Sequence, residues 1–135
     1  PLGKVIWPVF QKGFKNNFKE FIMNLYLEVL IEILKIIVLV SILFVWVVRY
    51  NNIQKEFEQF NLPNWLRDIV GILKISFAVM LHSDISTIVL IGSGGISLLM
   101  IGAIFTHFRV KNKLHKMFPS LTLFSINMII FLYTL

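Results

Sequence analysis

Residues 83–116, SDISTIVLIGSGGISLLMIGAIFTHFRVKNKLHK, decide the fold class. A polar turn opens the stretch, and residues 85–108 then run for 24 positions without a formal charge when His107 is neutral. At ~1.5 Å rise per residue such a run crosses a hydrocarbon core of ~30 Å. It stops at a basic cluster, Arg109, Lys111, Lys113 and Lys116. Inside it lie Gly92, Ser93, Gly94, Gly95, Ser97, Gly102 and Ala103. In water so many small residues weaken a helix. In lipid the backbone must bond to itself, so the helix holds, and small residues let neighbours approach closely. The stretch reads as the central spanning helix, with Gly92, Gly95 and Gly102 as packing positions.

Composition supports a membrane setting. The 135-residue chain is 57% hydrophobic and 15% charged, against ~45–50% apolar and ~25% charged in soluble domains. Lipid has to solvate the excess. The length suits one domain, and four spans would use ~80 residues. The chain has no cysteine, which excludes thiolate catalysis, disulfide exchange and cysteine metal sites. The net charge of +6 is read as a topology signal, and no nucleic-acid partner is expected from it.

Residues 1–22, PLGKVIWPVFQKGFKNNFKEFI, differ from the rest and carry Lys4, Lys12, Lys15 and Lys19. They read either as a basic, aromatic segment on the membrane surface or as translated upstream sequence. Lys19-Glu20 can be encoded by a purine run that resembles a ribosome-binding site, just ahead of Met23. The expectation is a non-native extension over 1–22 and a membrane domain over 23–135. A signal peptide does not fit, because the long apolar core is missing.

Spans are expected at about 29–48, 65–82, 85–108 and 119–135. Trp46, Arg49 and Tyr50 mark an interfacial end of the first. Between the first two, Ile53, Phe57 and Phe60 recur at helical spacing opposite Lys55, Glu56 and Glu58, which predicts a short interfacial helix ended by Pro63. The tight turn 82–86 makes spans two and three antiparallel neighbours. The fold class is an all-α membrane protein, a four-transmembrane-helix antiparallel bundle. Of 13 Lys and Arg, four lie in 1–22. Seven lie in two loops: Arg49, Lys55 and Arg67, then Arg109, Lys111, Lys113 and Lys116. Both loops should be cytoplasmic and both termini outside.

The stretch LPNWLRDIVGILKISFAVML, followed by MIGAIFTHFRV, resembles the DoxX-like family of small bacterial membrane proteins. The residues that carry the likeness are Leu62-Pro63, Gly71, Gly102-Ala103, Thr106-His107 and Arg109, and it extends over residues 23–135. It implies a four-helix bundle in the bacterial inner membrane. It also implies a link, through the family's named members, to a quinone-reducing oxidoreductase subunit. Quinone is thus the cofactor suggested, by resemblance alone. One departure stands out: where the family commonly has glutamate three residues after the second-span glycine, this chain has Lys74.

Two candidate sites follow. Glu28, Glu32 and Lys35 share a helical face, and Lys74 on the antiparallel second span could pair with Glu32. Charges near the bilayer centre cost ~2.5–3.5 kcal/mol on insertion scales, so they turn inward and find partners. The group reads either as an intramembrane polar site or as a structural ion pair that sets packing. The second candidate is Thr106, His107 and Arg109 at the interface. There His107 could bond a quinone carbonyl or relay a proton, or simply cap a helix C-terminus.

The glycine run lacks the strand and lysine of a nucleotide loop. No catalytic or metal constellation can be assembled. The function expected is an accessory or membrane-anchoring subunit of a quinone-linked oxidoreductase, without catalysis of its own. The alternatives are a small proton-coupled transporter using Glu32 and Lys74, and a membrane assembly factor. The expected partners are the lipid bilayer and either another membrane protein or a second copy of the chain.

Overall fold

The computed structural model describes residues 2–135. Every described element is helical: α1 (Leu2–Leu43), a π-helical turn (Phe44–Val48), α2 (Tyr50–Gln59), α3 (Asn64–Met80), α4 (Ser86–Arg109) and α5 (Leu114–Thr134). Three helices are long and apolar enough to cross a membrane: Gly3–Val48, Ser86–Arg109 and Leu114–Thr134. The expected second span, α3, has 17 residues and carries Arg67, Asp68 and Lys74.

The chain divides into two compact units, residues 1–33 and residues 34–135. The first consists of the early part of α1, with Pro8 inside it. Its aromatic residues are exposed and stack at helical spacing, Trp7 on Phe10 at 5.8 Å and Phe14 on Phe18 at 6.2 Å.

In the second unit α4 packs against both α3 and α5. Its buried positions, Val89, Gly92, Ser93, Ile96, Ser97, Met100 and His107, recur at spacings of three, four and seven, the mark of one continuous helical face. The core joins Val38, Ile42 and Trp46 to Ala78, Leu81, Ile96 and Ile130. Hydroxyls inside this apolar medium bond back along their own helix. Ser93 Oγ donates to the Val89 carbonyl at 2.9 Å and Ser97 Oγ to the Ser93 carbonyl at 2.8 Å, so neither is buried unsatisfied.

The glycines of α4 do different work. A Cβ on Gly92 would lie 2.7 Å from the Phe77 carbonyl oxygen, and one on Gly95 would lie 2.6 Å from the Phe77 ring. There the backbones of α3 and α4 meet almost directly. Gly102, expected to pack in the same way, is exposed, and a Cβ on it would meet nothing within 4 Å.

One boundary departs from expectation. Helix α5 begins at Leu114 rather than near 119, which gives it 21 residues, about 31 Å and enough to cross a bilayer core. Pro119 sits inside it; so near the start, the proline forfeits one backbone bond without ending the helix. Residues 2–22 are helical and continuous with the rest of α1.

Helices α2 and α4 end alike. Asn61 and Lys111 take left-handed conformations (φ 57° and 56°). Paired amide bonds close each end: Leu62 to Phe57 and Asn61 to Glu58, then Asn112 to His107 and Lys111 to Phe108. This is the Schellman arrangement.

Gly92→Ala should lower the melting temperature in detergent, because the Phe77 carbonyl is backbone and cannot yield without moving α3. Overpacking of this kind costs ~1–3 kcal/mol. Gly102→Ala should leave the melting temperature unchanged. Equal effects at the two positions would contradict the contacts described.

Candidate functional site

A cavity of about 360 Å³ opens in the second unit. It lies toward the end where α2 and the turn between α4 and α5 are found, the end that carries most of the basic residues. The π turn, α2, the first half of α3, the last turns of α4 and the first turns of α5 all contribute to its walls. A second space of about 380 Å³ lies between residues 37–45 and α5, and shares Ser41, Val45, Pro119 and Leu123 with the first.

Trp46 builds one wall. The π turn, closed by the Arg49 amide on the Phe44 carbonyl at 3.0 Å, inserts an extra residue and shifts the helical phase. Trp46 is thereby turned inward, 8% exposed, while Val47 and Val48 face out. The indole lies against Gly71, where a Cβ would sit 2.6 Å from the ring, so only glycine admits it. One turn further on α3, Lys74 places Nζ 5.3 Å from the Trp46 ring centroid. A cation–π contact of this kind contributes ~0.5–2 kcal/mol. Within the second unit, Lys74 makes no ion pair.

An aromatic row leads from Trp46 to His107. Trp46 meets Phe57 edge-on at 6.3 Å, Phe57 meets Phe60 at 6.1 Å, and Phe60 meets His107 edge-on at 5.4 Å. His107 is buried, and its Nδ1 lies 2.8 Å from Asn112 Nδ2. Gln59 Nε2 donates to Asn112 Oδ1 at 3.3 Å, which turns the Asn112 amino group toward the ring. Nδ1 must then accept, and the neutral imidazole carries its proton on Nε2. The left-handed Lys111 is what swings Asn112 back beneath His107. Arg109 ties α4 to α2 by donating to the Phe60 carbonyl at 2.6 Å.

Glu56 is the cavity's acid. Its charge acts on both Lys74 and His107. The sequence reading set Glu56 on the polar side of α2, yet it is half-buried and lines the cavity. Its spacing, three after Ile53 and four before Phe60, could have shown this. Arg49 and Lys116 also line the cavity. Of the expected site residues, Lys74, Thr106 and His107 come together here with Gly102. Arg109 serves as a tether. Lys35 is buried but does not line the cavity. Glu28 and Glu32 belong to the first unit, both exposed on α1. Among the described residues no cluster could hold a metal ion.

The tautomer is directly measurable. The ¹⁵N shifts of His107 should show a protonated Nε2 and an accepting Nδ1 at neutral pH. Asn112→Leu should remove that preference and leave a mixture of tautomers. A protonated Nδ1 in the unaltered protein would overturn the assignment.

A comparison with curated proteins finds no match, and neither does one with solved structures. The sequence matches the DoxX-like family over residues 21–129. That match takes in the π turn, Gly71, Lys74 and the Thr106-His107 pair, and the chain belongs to the DoxX-like family.

Proposed function

We propose that this protein is an accessory membrane subunit that holds a quinone-type ligand for a partner oxidoreductase. The cavity carries the reading. A ring with carbonyl oxygens needs apolar walls and a few donors at one end. The cavity supplies an aromatic wall, the Lys74 ammonium and the Nε2–H of His107, which is the usual composition of a small-molecule site. The donor set therefore fits the group. Lys74 and His107 would hold the oxygens, and Trp46 and Phe57 would flank the ring. When bound, a quinone supplies a couple of two electrons and two protons. The lining side chains bind and orient, but carry no such couple themselves, so the electrons would come from the partner. The second space, between residues 37–45 and α5, suits a ligand that arrives through lipid.

In this reading the chain crosses the bacterial inner membrane four times, with α3 as the short second span. The basic loops face the cytoplasm and both termini face out, as the distribution of Lys and Arg favours. Cysteines placed at Asn52 and Asn112 should then be shielded from an impermeant thiol reagent in intact cells, and one at Ser83 should be labelled. The reverse pattern would invert the orientation.

Ligand binding is read from Trp46. With Trp7 and Trp65, both exposed, replaced by Phe, Trp46 is the remaining fluorophore. A short-chain alkyl-1,4-naphthoquinone should quench it saturably in detergent, and Gly71→Leu, which displaces the indole, should abolish saturation. Linear, unsaturable quenching in the unaltered protein would remove the proposal.

A further inference from the structure

We infer that the cavity selects a ligand whose head is an ionised oxygen on an apolar body, a phenolate or carboxylate, over the neutral counterpart. The inference rests on the reading that the cavity holds a lipid-borne ligand, and it assigns the chemical class.

The argument is one of charge. Three cationic side chains line the cavity, Arg49, Lys74 and Lys116, against one carboxylate, Glu56. His107, neutral and protonated on Nε2, has Nδ1 already engaged by Asn112, so what it has left to offer is a donor. Positive charges in the lining therefore outnumber negative ones. Lys74 is the most exacting member. It sits in an apolar helix with the Trp46 face as its close partner. A cation–π contact offsets a small part of the several kcal/mol that a charge loses on leaving water. Glu56 acts on it from α2 without closing to an ion pair. A ligand that brings its own negative oxygen completes the site, whereas a neutral ligand leaves the ammonium under-compensated. Glu56 then has a defined part: it moderates the positive field and competes with the incoming anion. Specificity against the neutral form comes from Lys74 and is tuned by Glu56.

The test compares matched pairs by Trp46 quenching and by calorimetry near neutral pH. One pair is a 2-hydroxy-3-alkyl-1,4-naphthoquinone, ionised at that pH, and the same molecule without its hydroxyl. The other is laurate and dodecanol. The ionised member should bind on the order of tenfold more tightly, as a charge-assisted bond predicts. Lys74→Met should erase the preference, weakening the ionised member by more than the neutral one. Glu56→Gln should enlarge it, and Lys74→Arg should keep it. If Lys74→Met does not fold, Glu56→Gln decides, and an unchanged or reduced preference there overturns the inference.

Equal binding within both pairs also overturns it, yet leaves the proposed function standing, because the quinone still binds. Laurate bound in preference to dodecanol, with neither quinone bound, supports an ionised head from a fatty acid and removes the quinone function. Preference within the quinone pair alone identifies an acidic quinone as the source.

Discussion

The contact on which the second unit depends is between two backbones. At Gly92 the absent side chain lets α4 lie against the Phe77 carbonyl of α3. Lipid offers helices little hydrophobic reason to associate, so close van der Waals contact has to hold them together. Small residues are concentrated in α4 for this reason, and the core residues Ala78, Leu81, Val89 and Ile96 gather around the contact. The two helices touch at Gly92 and Gly95 and leave space at Gly102, on the same helix as His107. Tight packing toward one end and an open chamber toward the other are two results of one arrangement.

The chamber is polar at selected points and apolar elsewhere, which follows from what each polar group must do in lipid. Serines and threonines satisfy themselves along their own helices. Asn112 and Gln59 satisfy His107 through a chain that begins at the interface. Lys74 has no such local device and leans on an aromatic face. The Lys74 ammonium is therefore a polar group in the chamber that its own helix does not serve.

Much of the fold is legible in the sequence because its signals are local. The uncharged run of α4, the period of Ile53, Phe57 and Phe60, and the Leu62-Pro63 break each specify their own element. The site was read as two separate groups because distance along the chain hides the meeting of Lys74 with Thr106 and His107. The π turn left no mark in FVWVV, a run with no glycine, proline or charge to announce an extra residue. Glu56 was misplaced by treating charge as a sign of exposure when its spacing said otherwise. The fourth span is expected from about 119, and α5 begins earlier, at Leu114, because a proline this close to a helix start breaks little. Gly102 shows that a glycine's role in a spanning helix depends on what lies opposite, which one sequence does not display.

The π turn also makes the chain sensitive to length in a way that side-chain identity does not capture. A single residue, Arg49, separates it from α2. A π turn holds about one residue more than an α turn, so removing one residue from Phe44–Val48 would close it as an ordinary helix and leave α2 near its present phase. The side chains inside the turn would be re-phased, and Trp46 would leave the groove at Gly71. Such a deletion would unseat the indole wall of the cavity while leaving the walls from α3, α4 and α5 in place.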